Sequence, residues 1–195
     1  ELLIGQVIDT NSAWIAQQLN KAGIFVIRRV AVGDSRDEIW QALDEESKHA
    51  EIILITGGLG PTADDITKPL LNDYFGGTMI VNEDALQNVK YLFEKIFKRI
   101  ITEVNLKQAE VPDVCTVIQN KRGSAPGMWF VQRTPDGEKD GKIFISMPGV
   151  PYEMKGMVEE IVPTLSERFT MPSIVHTTLL TSGIGQSMLA EKIED

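Results

Sequence analysis

A chain of 195 residues has the length of one domain, or of one domain and part of another. With 43% hydrophobic and 24% charged residues it can bury an ordinary core, which excludes a wholly disordered chain. Its 19 Lys and Arg against 28 Asp and Glu leave a net charge of −9, which argues against DNA or RNA as partner; a small anionic ligand stays open, because a local site can oppose the overall field.

Cys115 is the one cysteine, so no intrachain disulfide forms, which fits a reducing cytoplasm. Its setting, DVCTVIQ, predicts a buried strand position. No apolar run approaches the roughly 20 residues that span a bilayer, and no signal peptide is visible, so a cytoplasmic protein without a membrane partner is expected. The chain opens ELLIGQ without methionine, and most of a first strand is expected to be missing.

Residues 11–23 predict a helix with Ile15, Leu19 and Ala22 on one face, Asn11 or Ser12 as N-cap and Gly23 as its stop. Residues 24–32, IFVIRRVAV, predict a strand from their β-branched density. A capping box from Ser35 to Glu38 opens a second helix that carries Ile39 and Leu43 one turn apart. The apolar run IILIT at 52–56 predicts a strand covered on both faces. Alternation of this kind predicts an α/β fold around a mostly parallel sheet.

Residues 64–77 predict a helix aligning Ile66, Leu70 and Tyr74, with Pro69 tolerated in its first turn or two. A longer helix follows, with Leu86, Val89, Phe93, Ile96 and Ile100 at alternating three- and four-residue spacing, a face for core packing rather than for a partner. VCTVIQ, MWFVQR and KIFISM predict three strands, the last two joined by the polar turn TPDGEKDG. A further helix then faces Met154, Met157 or Val158, Ile161 and Leu165 inward, with Pro163 expected to kink or break its end. FTMPS marks a boundary between a domain over 1–170 and the opening strand and helix of a second module over 171–195.

The chemistry concentrates in LITGGLGPTADDIT. A strand ending in Thr56, then Gly57, Gly58, Leu59, Gly60 and Pro61, then a helix, presents unpaired backbone N–H groups at a positive helix end, where phosphate or carboxylate binds. It is neither a Walker loop nor a GxGxxG fingerprint, and a sharp turn that binds nothing is the competing reading. Asp64 and Asp65 offset the helix dipole, with Thr62 and Asp65 as an imperfect capping box. Functionally, they make sense beside a phosphate if a divalent cation bridges the two, or if one of them orients a water. Asn11 belongs on the same sheet edge, although an N-cap role is the simpler account. NKRGSAPG, with Lys121 and Arg122, MPGVPYEM and NLKQAEVP, with Lys107, repeat the anion-ready pattern at element ends. His49 and His176 lack metal-ligand company, and Trp14, Trp40 and Trp129 read as packing.

ELLIGQVIDTNSAWIAQQL, TGGLGPTADDIT, NLKQAEVP, NKRGSAPGMW and MPGVPYEM occur in the order seen in the CinA family, which this chain resembles over nearly its whole length. The N-terminal domain of that family resembles the molybdopterin-binding MoaB and MogA proteins. The resemblance implies a three-layer α/β sandwich, usually cytoplasmic and often a homodimer. It also implies metal-dependent cleavage of ADP-ribose to AMP and ribose 5-phosphate. On that resemblance Thr56, Gly57, Gly58, Gly60, Pro61 and Thr62 would hold the phosphates, and Asn11, Lys107, Ser124 and Gly149 would line the cleft. Asp64 and Asp65 would be the catalytic residues and hold Mg²⁺, Mn²⁺ or Co²⁺, the division of labour between them staying open. A module that holds a pterin or nucleotide without hydrolysis, and a regulatory domain, are the alternatives. No residues here correspond to the amidase domain of longer members, and its activity is not implied.

Overall fold

The computed structural model describes residues 2–132, 141–169 and 180–193. In chain order its first half holds α1 (Thr10–Lys21), α2 (Arg36–Glu46), β1 (Ile52–Thr56), α3 (Thr67–Tyr74), β2 (Met79–Val81) and α4 (Glu83–Tyr91). Then come α5 (Glu103–Leu106), β3 (Glu110–Pro112), β4 (Thr116–Ile118), β5 (Gly127–Gln132), β6 (Lys142–Met147), α6 (Pro151–Arg168) and α7 (Gln186–Ile193).

Alternation along the strands sorts the side chains into two cores. From β6, Ile143, Ile145 and Met147 face one side, against Ile15 and Leu19 of α1 and Met154, Met157, Val158, Ile161 and Leu165 of α6. Phe144 faces the other, against Leu43 of α2 and Leu70 and Leu71 of α3. β1 divides likewise, with Ile52 and Leu54 on the first core and Ile53 and Ile55 on the second. Helices therefore cover both faces of the sheet, giving three layers. The sheet order is β1-β6-β5-β4, with β1 parallel to β6 and both remaining pairings antiparallel, so β1, β4 and β6 run one way and β5 against them. A second, two-stranded antiparallel sheet pairs β2 with β3, strands that sequence pattern does not announce. Among the described residues no helix is long and apolar enough to cross a membrane.

Several local expectations are corrected. Residues 24–32 form no strand; they join no ladder, with Phe25, Ile27 and Val30 exposed. β-branched composition fits a pleated surface only where a neighbouring strand supplies the ladder. The N-cap of α1 is Asp9, whose side chain accepts from the Ser12 N–H. Ser35 flanks α2 in an extended conformation without a side-chain cap bond, so the capping box is absent. α3 starts at Thr67, leaving Asp64 and Asp65 in the preceding turn. The helix after β2 passes from α4 into a π-helical turn, Leu92–Ile96, and stops there, with Lys98 beyond it at a φ of +51°. The wider turn shifts the phase of the apolar face, so Ala85, Val89 and Leu92 are buried while Ile96 is exposed; Ile100, also exposed, lies beyond the helix end. α6 runs unbroken through Pro163 to Arg168. Cys115 lies in the bend before β4, partly buried, its thiol pushed up to about 11 by burial. The turn at 134–140, the strand expected after 173 and His176 lie outside the described residues.

Phe144 is fully buried and meets Phe75 edge-on, ring centroids 5.1 Å apart. Phe144→Ala is expected to lower unfolding free energy by roughly 3–5 kcal/mol. Ile100→Ala, at a position 91% exposed, should stay within about 0.5 kcal/mol of wild type. Urea unfolding midpoints with unchanged slopes check both.

Candidate functional site

Because β1 and β6 are parallel neighbours, their C-terminal ends lie side by side, with Thr56 opposite Met147. The ladder continues one step further: the Gly57 N–H donates to Met147 O at 2.9 Å. Both strands then enter loops that lead to helix N-termini, of α3 and α6. The loops touch, a Cβ on Gly149 falling 3.3 Å from Gly57 Cα. From the first turn of α1, Asn11 Nδ2 donates to Gly149 O at 2.7 Å, bringing a third element end to the same place.

A cleft of about 380 Å³ opens there. Of the residues singled out from sequence, Gly57, Gly58, Gly60, Pro61, Asp65, Ser124 and Gly149 line it. Asn11 stands behind Gly149, while Thr56, Thr62, Asp64 and Lys107 are exposed and outside the lining. Gly57 and Gly58 have φ of +98° and +67°, and a Cβ on Gly58 would overlap Thr67 Oγ1. The Thr67 N–H closes the loop onto Gly58 O at 3.2 Å. Among the described residues the N–H groups of Gly58, Leu59 and Gly60 donate to no protein acceptor. Successive free donors at a strand-to-helix turn are the arrangement in which proteins commonly bind anions.

The two aspartates separate. Asp65 turns back into the cleft, its Oδ2 accepting from the Thr62 N–H at 3.0 Å and from the Thr62 hydroxyl. It lies directly over Gly60, where a Cβ would overlap its carboxylate. Asp64 is exposed, held below the usual carboxylate range by the nearby Thr62 hydroxyl. Lys121 and Arg122 serve structure: they pair with Glu160 at 2.6 Å and Glu159 at 2.8 Å on α6.

Four residues in or under the cleft, Glu153, Asn120, Gln108 and Lys68, escape sequence reasoning. Glu153, in the first turn of α6, lines it half-buried, and burial pushes its carboxyl above the usual range. Buried Asn120 donates to Glu153 Oε2 at 2.6 Å. Gln108 lines it almost wholly buried. Lys68 Nζ donates to Gln108 O at 3.0 Å, and burial pushes this lysine down to about 8 against the opposing charges of Glu110 and Asp65. Glu153 and Gln108 do stand inside MPGVPYEM and NLKQAEVP, but which residue of a short turn faces a cleft depends on tertiary placement.

Among the described residues no cluster of three or more His, Cys, Asp or Glu side chains is placed to hold a metal. The cleft carries two carboxylates, Asp65 and Glu153. That donor set does not make a closed protein cage, but it fits a hard cation that keeps its waters and shares phosphate oxygens, as Mg²⁺ does.

Residues 1–167 match the family model described as "Probable molybdopterin binding domain". Over its whole length the chain is 48% identical to a CinA-like protein of Flavobacterium psychrophilum and 44% identical to one of Cytophaga hutchinsonii, covering 45% of each. It thus spans less than half the length of these curated relatives. The structure of CinA from Thermoplasma acidophilum, described as of unknown function, superposes with a TM-score of 0.72 at 32% identity, over 85% of this chain and 92% of that one. MoaB from Pyrococcus furiosus, described as a tungsten cofactor synthesizing protein, superposes at 0.54 with 19% identity over 85% and 86%, a likeness of fold.

Gly58→Ala forces a Cβ into Thr67 at positive φ and is expected to destabilise the chain by more than about 1 kcal/mol; thermal unfolding measures it. Lys68 is more basic unfolded, at 10.5, than folded, at about 8. The unfolded chain therefore binds the extra proton between those values, and stability contributed by this site rises as pH climbs through that window. Unfolding free energies at a series of pH values should show wild type gaining on Lys68→Met from pH 8 to 10.5.

Proposed function

The chain belongs to the molybdopterin-binding domain family, among its CinA-like members, and on that premise we propose that its cleft binds and hydrolyses a diphosphate-bearing small molecule, ADP-ribose, to AMP and ribose 5-phosphate. The observation that carries this reading is the run of free N–H groups at Gly58, Leu59 and Gly60 in one cleft with the Asp65 carboxylate.

The free N–H groups bind the phosphoryl oxygens and stabilise the negative charge that grows on them as water adds, without reorganising at that moment. Gly60 leaves room for Asp65 beside them. The Thr62 N–H fixes the Asp65 carboxylate through Oδ2 at 3.0 Å, so the opposite oxygen, Oδ1, is directed to the ligand and orients the attacking water. A divalent cation, Mg²⁺, Mn²⁺ or Co²⁺, held by Asp65 and phosphate oxygens, supplies charge neutralisation and Lewis acidity when bound. Asp65 takes both roles, and Asp64 takes neither. The same reading makes the protein a cytoplasmic homodimer whose partner is the phosphate ligand, without nucleic acid or membrane.

Release of AMP from ADP-ribose, followed with and without each metal, tests this. Asp65→Asn is expected to lower turnover by about a hundredfold or more with its unfolding midpoint intact, while Asp64→Asn retains most activity. Binding without AMP release in any metal would instead make the domain a non-hydrolytic pterin or nucleotide module.

A further inference from the structure

A cation stands behind the cleft wall. Lys68, the second residue of α3, is 7% exposed. Its Nζ donates to the backbone carbonyl of Gln108 at 3.0 Å, which ties the start of α3 to the turn before β3. Both ends of this tie belong to the cleft. Gln108 lines it, and Thr67, next to Lys68, closes the glycine loop through its N–H on Gly58 O. Lys68 itself is not part of the lining. Glu110 on β3 and Asp65 in the loop face its ammonium, yet among the described residues neither forms an ion pair with it. The third group beside it, the Cys115 thiol, is neutral. A buried ammonium whose one hydrogen bond goes to a neutral carbonyl carries a desolvation cost that this acceptor does not offset. Its complement is a negative charge within reach of its field, and the cleft is the place open to one.

We infer that Lys68 is a positioning residue of the cleft, which from behind the wall holds the Gln108 turn and supplies the positive charge that favours a diphosphate on the glycine loop. The inference rests on the phosphate-binding reading of that loop and adds what offsets the carboxylates beside it. Asp65 and Glu153 put negative charge into the cleft, and the loop N–H groups carry only partial positive charge. Lys121 and Arg122 are paired on α6, and Lys107 is exposed, where solvent and salt screen it. Lys68 is shielded from both, so its field reaches the cleft through a wall of low dielectric. Burial pushes this lysine down to about 8. Its charge is therefore mostly present at neutral pH and is lost as pH rises through that value. Affinity that depends on the charge falls in the same direction.

Calorimetric titration with Mg²⁺ and an ADP-ribose analogue tests this, the bridging phosphate oxygen being replaced by methylene so that the ligand is not cleaved. Its diphosphate stays fully ionised across the range, so any slope with pH belongs to the protein. Wild type is expected to lose about fivefold in affinity between about pH 7 and about pH 9. Lys68→Met should bind about tenfold more weakly at the lower pH and show no such slope. Lys68→Arg, charged throughout, should also lack the slope. A merely structural tie would change affinity without changing its pH dependence. A flat wild-type profile, or the wild-type slope persisting in the variants, overturns the role of the charge and leaves the phosphate reading standing. Absence of binding by wild type at every pH overturns both. Either variant alone supplies the control slope, so the comparison survives if the other does not fold.

Discussion

The parallel pairing of β1 with β6 is the contact on which the rest of the molecule depends. Its five-residue register, Ile52↔Ile143 to Thr56↔Met147, places two apolar strands at the centre of a three-layer stack. Because parallel strands end on the same side, the register also brings two loop-to-helix junctions together without any instruction from the loops themselves. Brought together by an antiparallel pair, one of those junctions would sit at the far edge of the sheet. Ligand crevices in α/β proteins lie at carboxyl strand ends for this reason.

Charge follows the same economy. The chain is acidic overall, and its basic side chains near the cleft are spent elsewhere: Lys121 and Arg122 tie their loop to α6, and Lys68 is buried under the lining on a backbone carbonyl. What remains to meet an anion is main-chain N–H, whose direction is set by the glycine conformations rather than by flexible side chains. Such donors lose no side-chain entropy on binding and are already oriented. The acidic side chains Asp65 and Glu153 line the same cleft beside those donors.

How much of this was legible in sequence depends on range. Strands at 52–56, 127–132 and 142–147 and the buried face of α6 follow from local composition and period, because both record burial directly. The segment 24–32 has equal β-character but no ladder, since pairing belongs to the neighbour and not to the segment. Ile96 and Ile100 fail for other reasons: one π turn breaks the angular step that the spacing argument assumes, and the helix stops before it reaches Ile100. In the cleft, the glycine loop was legible because positive φ leaves a compositional mark. Asp65 could not be told from Asp64, nor Gln108 preferred over Lys107, because adjacent residues differ only in which way a turn happens to face.

The contact between Gly149 and Gly57 closes a small mechanical ring. Met147 O accepts from Gly57, one residue, Pro148, carries the chain from Met147 to Gly149, and Gly149 returns against Gly57. A ring of so few atoms has almost no slack, so a displacement on one loop is delivered to the other instead of being absorbed. The two halves of the cleft are therefore not independent variables. A side chain introduced at Gly149 presses on the backbone that shapes the free N–H run, and energies of changes on the two loops will not add. A site built this way diverges by exchanging both loops together.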